Sequence, residues 1–115
     1  MTDRELLELA AKAAGMETRI CRATEQLRAR PHGSGDLFPL WNPLTDDGDA
    51  LRLAGKLRIN IEHMRTLKGD DFGVNCWPTG RGDCASSEDG DLSNYIGAVR
   101  RAIVLAAAEI GKGMP

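Results

Sequence analysis

Leu57-Arg58-Ile59-Asn60-Ile61-Glu62-His63-Met64 alternates between two kinds of side chain. A period of two puts Leu57, Ile59, Ile61 and His63 on one side of an extended chain and Arg58, Asn60, Glu62 and Met64 on the other. That is the pattern of a strand buried on one face. Leu67-Lys68-Gly69-Asp70-Asp71 then reads as a turn. Beyond it Phe72, Val74 and Cys76 alternate with Gly73, Asn75 and Trp77 until Pro78 closes the run. The two runs predict an antiparallel hairpin with one wet face, and the rest of the chain has to be placed around it.

Three helices flank the hairpin. Thr2 with Glu5 three residues later is a capping-box pair, and Leu6, Leu9, Ala10 and Ala13 form an apolar stripe that Gly15 ends. A second helix starts near Thr45 or Asp46. Asp46, Asp47 and Asp49 crowd its first turn, where the helix dipole favours negative charge, and Ala50, Leu53, Ala54 and Leu57 give it a buried side. The last helix is capped by Asp91 or Ser93. Ile96, Val99, Ile103, Ala106 and Ile110 form its stripe, and Gly111 and Gly113 terminate it.

Between these elements the pattern is weaker. Met16, Thr18 and Ile20 alternate with Glu17 and Arg19, which predicts a strand over roughly 16–23, whereas Thr24–Arg28 is equally compatible with a helix. Pro31–Asp36 has loop composition. Leu37–Trp41 reads as a short strand, at an edge because Pro39 cannot donate to a ladder. The Gly-rich run from Gly80 to Asp91 leaves room for one short strand near Cys84. The fold class is therefore α+β: a small layered α/β/α sandwich with an antiparallel sheet, in the order α-β-(β)-α-β-β-α.

At 115 residues one domain is expected. Aromatic residues amount to 4%, so the core has to be built from Leu, Ile, Val and Ala. A net charge of −2 provides no general field for nucleic acid or an anionic membrane. No run approaches the length of a membrane span, and the charged start Thr2-Asp3-Arg4-Glu5 does not read as a secretory signal. Cys21, Cys76 and Cys84 match no C-x-x-C spacing and read as reduced thiols of a cytoplasmic protein.

Two stretches go further. Trp41-Asn42-Pro43-Leu44-Thr45-Asp46-Asp47-Gly48-Asp49-Ala50-Leu51-Arg52-Leu53-Ala54 and Arg100-Arg101-Ala102-Ile103-Val104-Leu105-Ala106-Ala107-Ala108-Glu109-Ile110-Gly111, together with the Leu/Ala-rich first helix, resemble the phage ABA-sandwich domain. This is a family of small proteins encoded by phages and prophages of Gram-negative bacteria. The resemblance spans about a third of the chain. It implies a phage or prophage origin, the cytoplasm of a bacterial host and a helix–sheet–helix layering, and it brings no catalytic residues. A three-layer sandwich covers both faces of its sheet, whereas the hairpin expects one to be wet. Both are met if the first and last helices pack on one face and the shorter second helix covers part of the other.

Few side chains suggest chemistry. Asp46, Asp47 and Asp49 are candidates for a cation, although their spacing is not that of a calcium loop and helix capping explains them. A second acidic run, Glu88, Asp89 and Asp91, would strengthen that idea if the fold brought the two together. Arg19, Arg22, Arg28 and Arg30 form a basic stretch with no aromatic residue interleaved, which argues against single-stranded nucleic acid. Cys76, Cys84, His32 and His63 fit no nucleophile motif, so no catalytic residue and no cofactor is expected. Small residues along the last helix (Gly97, Ala98, Ala102, Ala106) allow close packing within the chain or a homodimer through that helix.

The remaining feature is the wet face of the hairpin. Arg58, Asn60, Glu62, Met64, Asn75 and Trp77, with Trp41, are the candidate partner-binding residues, since large aromatic side chains are typical anchors of protein interfaces. The expected function is thus a non-enzymatic protein-binding module. The alternative is a small-molecule or nucleotide binder, which a pocket near Arg19, Arg22 or Arg100 would favour.

Overall fold

The computed structural model describes residues 1–35, 37–65, 72–80, 85–90 and 94–115, with only the backbone of Arg65 and Asp89. The elements are α1 (Asp3–Ala13), β1 (Met16–Ile20), β2 (Leu27–Pro31), α2 (Asp47–Leu57), β3 (Ile59–Arg65), β4 (Phe72–Pro78), β5 (Ser86–Gly90) and α3 (Tyr95–Lys112). They form an α+β layered fold with two antiparallel sheets, β1–β2 and β3–β4–β5.

The hairpin is in place. β3 and β4 pair in the register Ile61↔Cys76 and His63↔Val74, and β4 pairs with β5 through Cys76↔Ser86 and Val74↔Glu88. Val74 and Cys76 are fully buried and Ile59 nearly so. α3 lies across this inner face, where the Ser86 hydroxyl donates to the Ala102 carbonyl at 2.7 Å. Two details differ from expectation. Leu57 closes α2, and Arg58 is its left-handed cap at φ 54°, so the strand begins at Ile59. One reversed residue is enough to turn a helix into a strand, and Leu57 satisfies both periodicities because it also lies four residues after Leu53. The third strand is Ser86–Gly90, whose polar composition carries no strand signal. It is the short strand expected near Cys84, beginning two residues beyond it; the turn expected at Leu67–Asp71, Cys84 itself and the caps Asp91 and Ser93 lie outside the described residues.

α1 begins as expected. The Thr2 hydroxyl accepts the Glu5 N–H at 3.2 Å, and Gly15 takes φ 71° just beyond the helix. Its buried face is Leu6, Leu7, Ala10 and Ala11, with Leu9 and Ala13 at the margin. The face is set by α3, the main neighbour of α1. Gly111 is not a terminator. It sits inside α3, and a Cβ on it would lie 2.1 Å from the Leu9 carbonyl oxygen. The helix ends at Gly113. Ala98, Ala102 and Ala106 are buried within the chain, so the small-residue face is already occupied. Ile96 drops out of the expected stripe and is 56% exposed, because the inward face of this first turn runs through Ala98.

β2 replaces the ambiguous helix. Cys21 N–H donates to the Gln26 carbonyl and Glu25 N–H to the Cys21 carbonyl, which reverses the chain so that Leu27 and Ala29 point inward. Leu37–Trp41 does not become a strand. A single bridge joins Leu40 to Arg28, with Ala29 N–H donating to the Pro39 carbonyl and Trp41 N–H to the Leu27 carbonyl. α2 packs on α3 and on the start of β3, not across the outer face of the three-stranded sheet. No helix among the described residues is long and apolar enough to cross a membrane.

Candidate functional site

The outer face of β3–β4–β5 collects five of the seven residues expected to bind a partner. Asn60 stands opposite Trp77 and Glu62 opposite Asn75, while Met64 stands opposite Gly73. Asn60 Nδ2 donates to the Trp77 carbonyl at 3.3 Å and to Thr79 Oγ1 at 3.0 Å. Asn75 Nδ2 reaches Glu62 Oε1 and Met64 Sδ, both at 3.5 Å, and its side-chain oxygen accepts from the Ser87 hydroxyl. Hydrogen bonds thus hold the polar side chains across the strands. Trp77 is half-buried and Met64 is 40% exposed.

Two expected members leave this face. Arg58, as the α2 cap, turns its guanidinium back to the Gly55 carbonyl. Trp41 is 7% exposed and belongs to the core, because its backbone bond to Leu27 turns the ring inward and leaves Leu40 outside. Trp41 also lines both of the clefts described below.

The acidic residues at the start of α2 are engaged within the chain. Asp46 is the N-cap and accepts the Asp49 N–H at 2.8 Å. Asp47 pairs with Arg100 at 2.6 Å, and the same guanidinium donates to the Leu44 carbonyl at 2.8 Å. Asp49, nearly buried, accepts Asn42 N–H at 2.9 Å and Arg52 at 2.7 Å. Glu88, of the second acidic run, goes instead to Arg101 at 3.5 Å. Among the described residues no group of three or more His, Cys, Asp or Glu could hold a metal ion.

The candidate nucleophile and base do not form a pair. Cys76 is fully enclosed, and burial pushes its thiol up to about 11. His63 is exposed, and its Nδ1 lies 2.5 Å from the Tyr95 hydroxyl, which donates to the Gly73 carbonyl at 3.1 Å. His32 lies in an exposed turn, and Cys84 is outside the described residues. Cys21 is partly exposed, with its thiol pKa lowered chiefly by the Thr24 hydroxyl.

Two features were not legible in the sequence. Phe38 packs against the guanidinium groups of Arg19 at 4.4 Å and Arg30 at 4.1 Å, and its carbonyl accepts from Arg28 at 2.9 Å. The basic stretch therefore does contain an aromatic residue, brought to it from outside the run. Arg30 also donates to Glu17, which holds that carboxyl below its usual range. The second feature is a pair of clefts of 480 and 450 Å³ that share Leu40, Trp41 and Asp49. Neither is lined by Arg19, Arg22 or Arg100. The sequence signal was weak: Leu37 and Leu40 beside Pro39 in a segment read as an edge strand, and Arg52 and Lys56 four apart.

No family model matches the chain, and neither any curated protein nor any solved structure matches it.

Proposed function

We propose that this chain is a small non-enzymatic binding module and that its contact surface is the outer face of β3–β4–β5. The observation behind this reading is the sheet itself. One face is buried under α3, while the other presents Trp77 and Met64 among Asn60, Glu62 and Asn75, held by cross-strand hydrogen bonds. A preorganised face with a large aromatic side chain loses little side-chain freedom on binding and gives a partner an anchor. The likeness of 41–54 and 100–111 to the phage ABA-sandwich domain adds a setting. The module would be an accessory protein of a phage or prophage, working in the host cytoplasm by occupying a surface of host or phage machinery.

The test is affinity capture by the tagged chain from a Gram-negative lysate, with quantitative mass spectrometry. A protein retained by the wild type and lost with both Trp77→Ala and Met64→Ala, each still folded by circular dichroism, is the expected result. Equal retention by all three removes the sheet face from the function. A second reading, a small-molecule binder, draws on the two clefts at Leu40 and Trp41.

A further inference from the structure

We propose that the 450 Å³ cleft between β2, the 37–41 segment and α2 binds a small organic anion with an apolar body, such as a medium-chain carboxylate. The inference rests on the small-molecule reading and is independent of the sheet face. The volume lies within the range of ligand pockets. The walls are apolar, with Met16, Leu40, Trp41 and Leu53 supplying most of the bulk.

Charge at the mouth sets the ligand class. Arg52 and Lys56 lie four apart on α2 and both line the cleft. Asp49 is the only acidic lining residue among the described ones, and its carboxylate is already held by Asn42 N–H and Arg52. Among the described residues Lys56 makes no ion pair, and the Arg52 side chain remains 74% exposed. An apolar slot with two cations at its rim is complementary to an amphipathic anion, whose tail takes the place of water against Trp41 while its carboxylate stays at the wet edge. The neighbouring 480 Å³ cleft has the opposite balance, with Glu25, Asp46 and Asp49 against Arg4. Electrostatics therefore favours one of the two sides of Leu40 and Trp41 for an anion.

The experiment uses octanoate and its neutral isostere octanamide, with Trp41 as the reporter in a Trp77→Phe background. Octanoate is expected to change Trp41 emission saturably and to bind about two- to fivefold tighter than octanamide, since Lys56 is the cation at stake while Arg52 is already paired with Asp49. Lys56→Gln should weaken octanoate about two- to fivefold and leave octanamide unchanged. Lys56 is exposed, so this variant should melt like its parent. Equal affinity for the two ligands, or indifference to Lys56→Gln, overturns the anion assignment while leaving a small-molecule cleft. No saturable response to either ligand overturns the cleft reading as well.

Discussion

Replacing Gly111 with alanine should destabilise the protein, although the same change in an open helix stabilises it. A Cβ at Gly111 would lie 2.1 Å from the Leu9 carbonyl oxygen and 2.8 Å from the Leu9 carbonyl carbon. Both are backbone atoms of α1, so no side chain can swing aside. Ordinary contacts between heavy atoms lie near ~3.5–4.0 Å, and α3 would have to back away from α1 by about 1 Å or more. That separation opens the joint in which Ala10, Ala11, Ala106 and Ala107 are all at 0% exposure. Overpacking of this kind costs about 1–3 kcal/mol, and a gap of ~1 Å forfeits up to half of each contact's attraction. Helix propensity returns about 1 kcal/mol. The net loss expected from the clash is up to about 2 kcal/mol, with lost packing adding to it, and each kcal/mol lowers the melting temperature by about 4 °C in a chain of this size. Gly55 supplies the control. It lies within α2 and a Cβ there meets nothing within 4 Å, so Gly55→Ala should stabilise by about 0.5–1 kcal/mol. Thermal melts by circular dichroism and urea titrations of the two variants decide the matter. A Gly111→Ala protein that melts above the wild type would refute the close crossing of α1 and α3.

Two further outcomes follow from local geometry. Arg58→Gly should stabilise by about 0.5–1 kcal/mol in urea titrations, since a non-glycine residue is held at φ 54° there and glycine relieves the left-handed strain; an unchanged or lower midpoint would place the strain elsewhere. Cys76 makes stability fall with alkali. Its folded pKa is raised above the ordinary value of 9.0 to about 11, so the unfolded chain ionises first and stability is lost as pH climbs between those values. Below pH 9 both states hold the proton and the effect vanishes. In alkylation with peptide mapping, Cys21 should label in the native protein and Cys76 only on unfolding; equal rates would contradict the enclosure of Cys76.

What could be read along the chain was whatever depends on near neighbours. The alternation of Ile59–Met64 and Phe72–Trp77 set which side chains share each face of the hairpin, because the strand period is fixed by backbone geometry. Thr2 at the start of α1, Asp46 at the start of α2 and the reversed backbone at Gly15 followed from the orphan N–H and C=O groups that every helix end must satisfy. Tertiary structure decided the rest. Which stripe of α1 is buried, why Gly111 lies within α3, how Phe38 comes to lie against Arg19 and Arg30, and that Trp41 turns into the core while Trp77 stays on the sheet all depend on segments far apart in sequence. β5 is the clearest case: Ser86–Gly90 is a strand because β4 offers it an unpaired edge and α3 accepts its serine, not because its residues prefer to be extended. The clefts beside Trp41 belong to the same class, since a cavity is made by walls from several elements and no single segment encodes it.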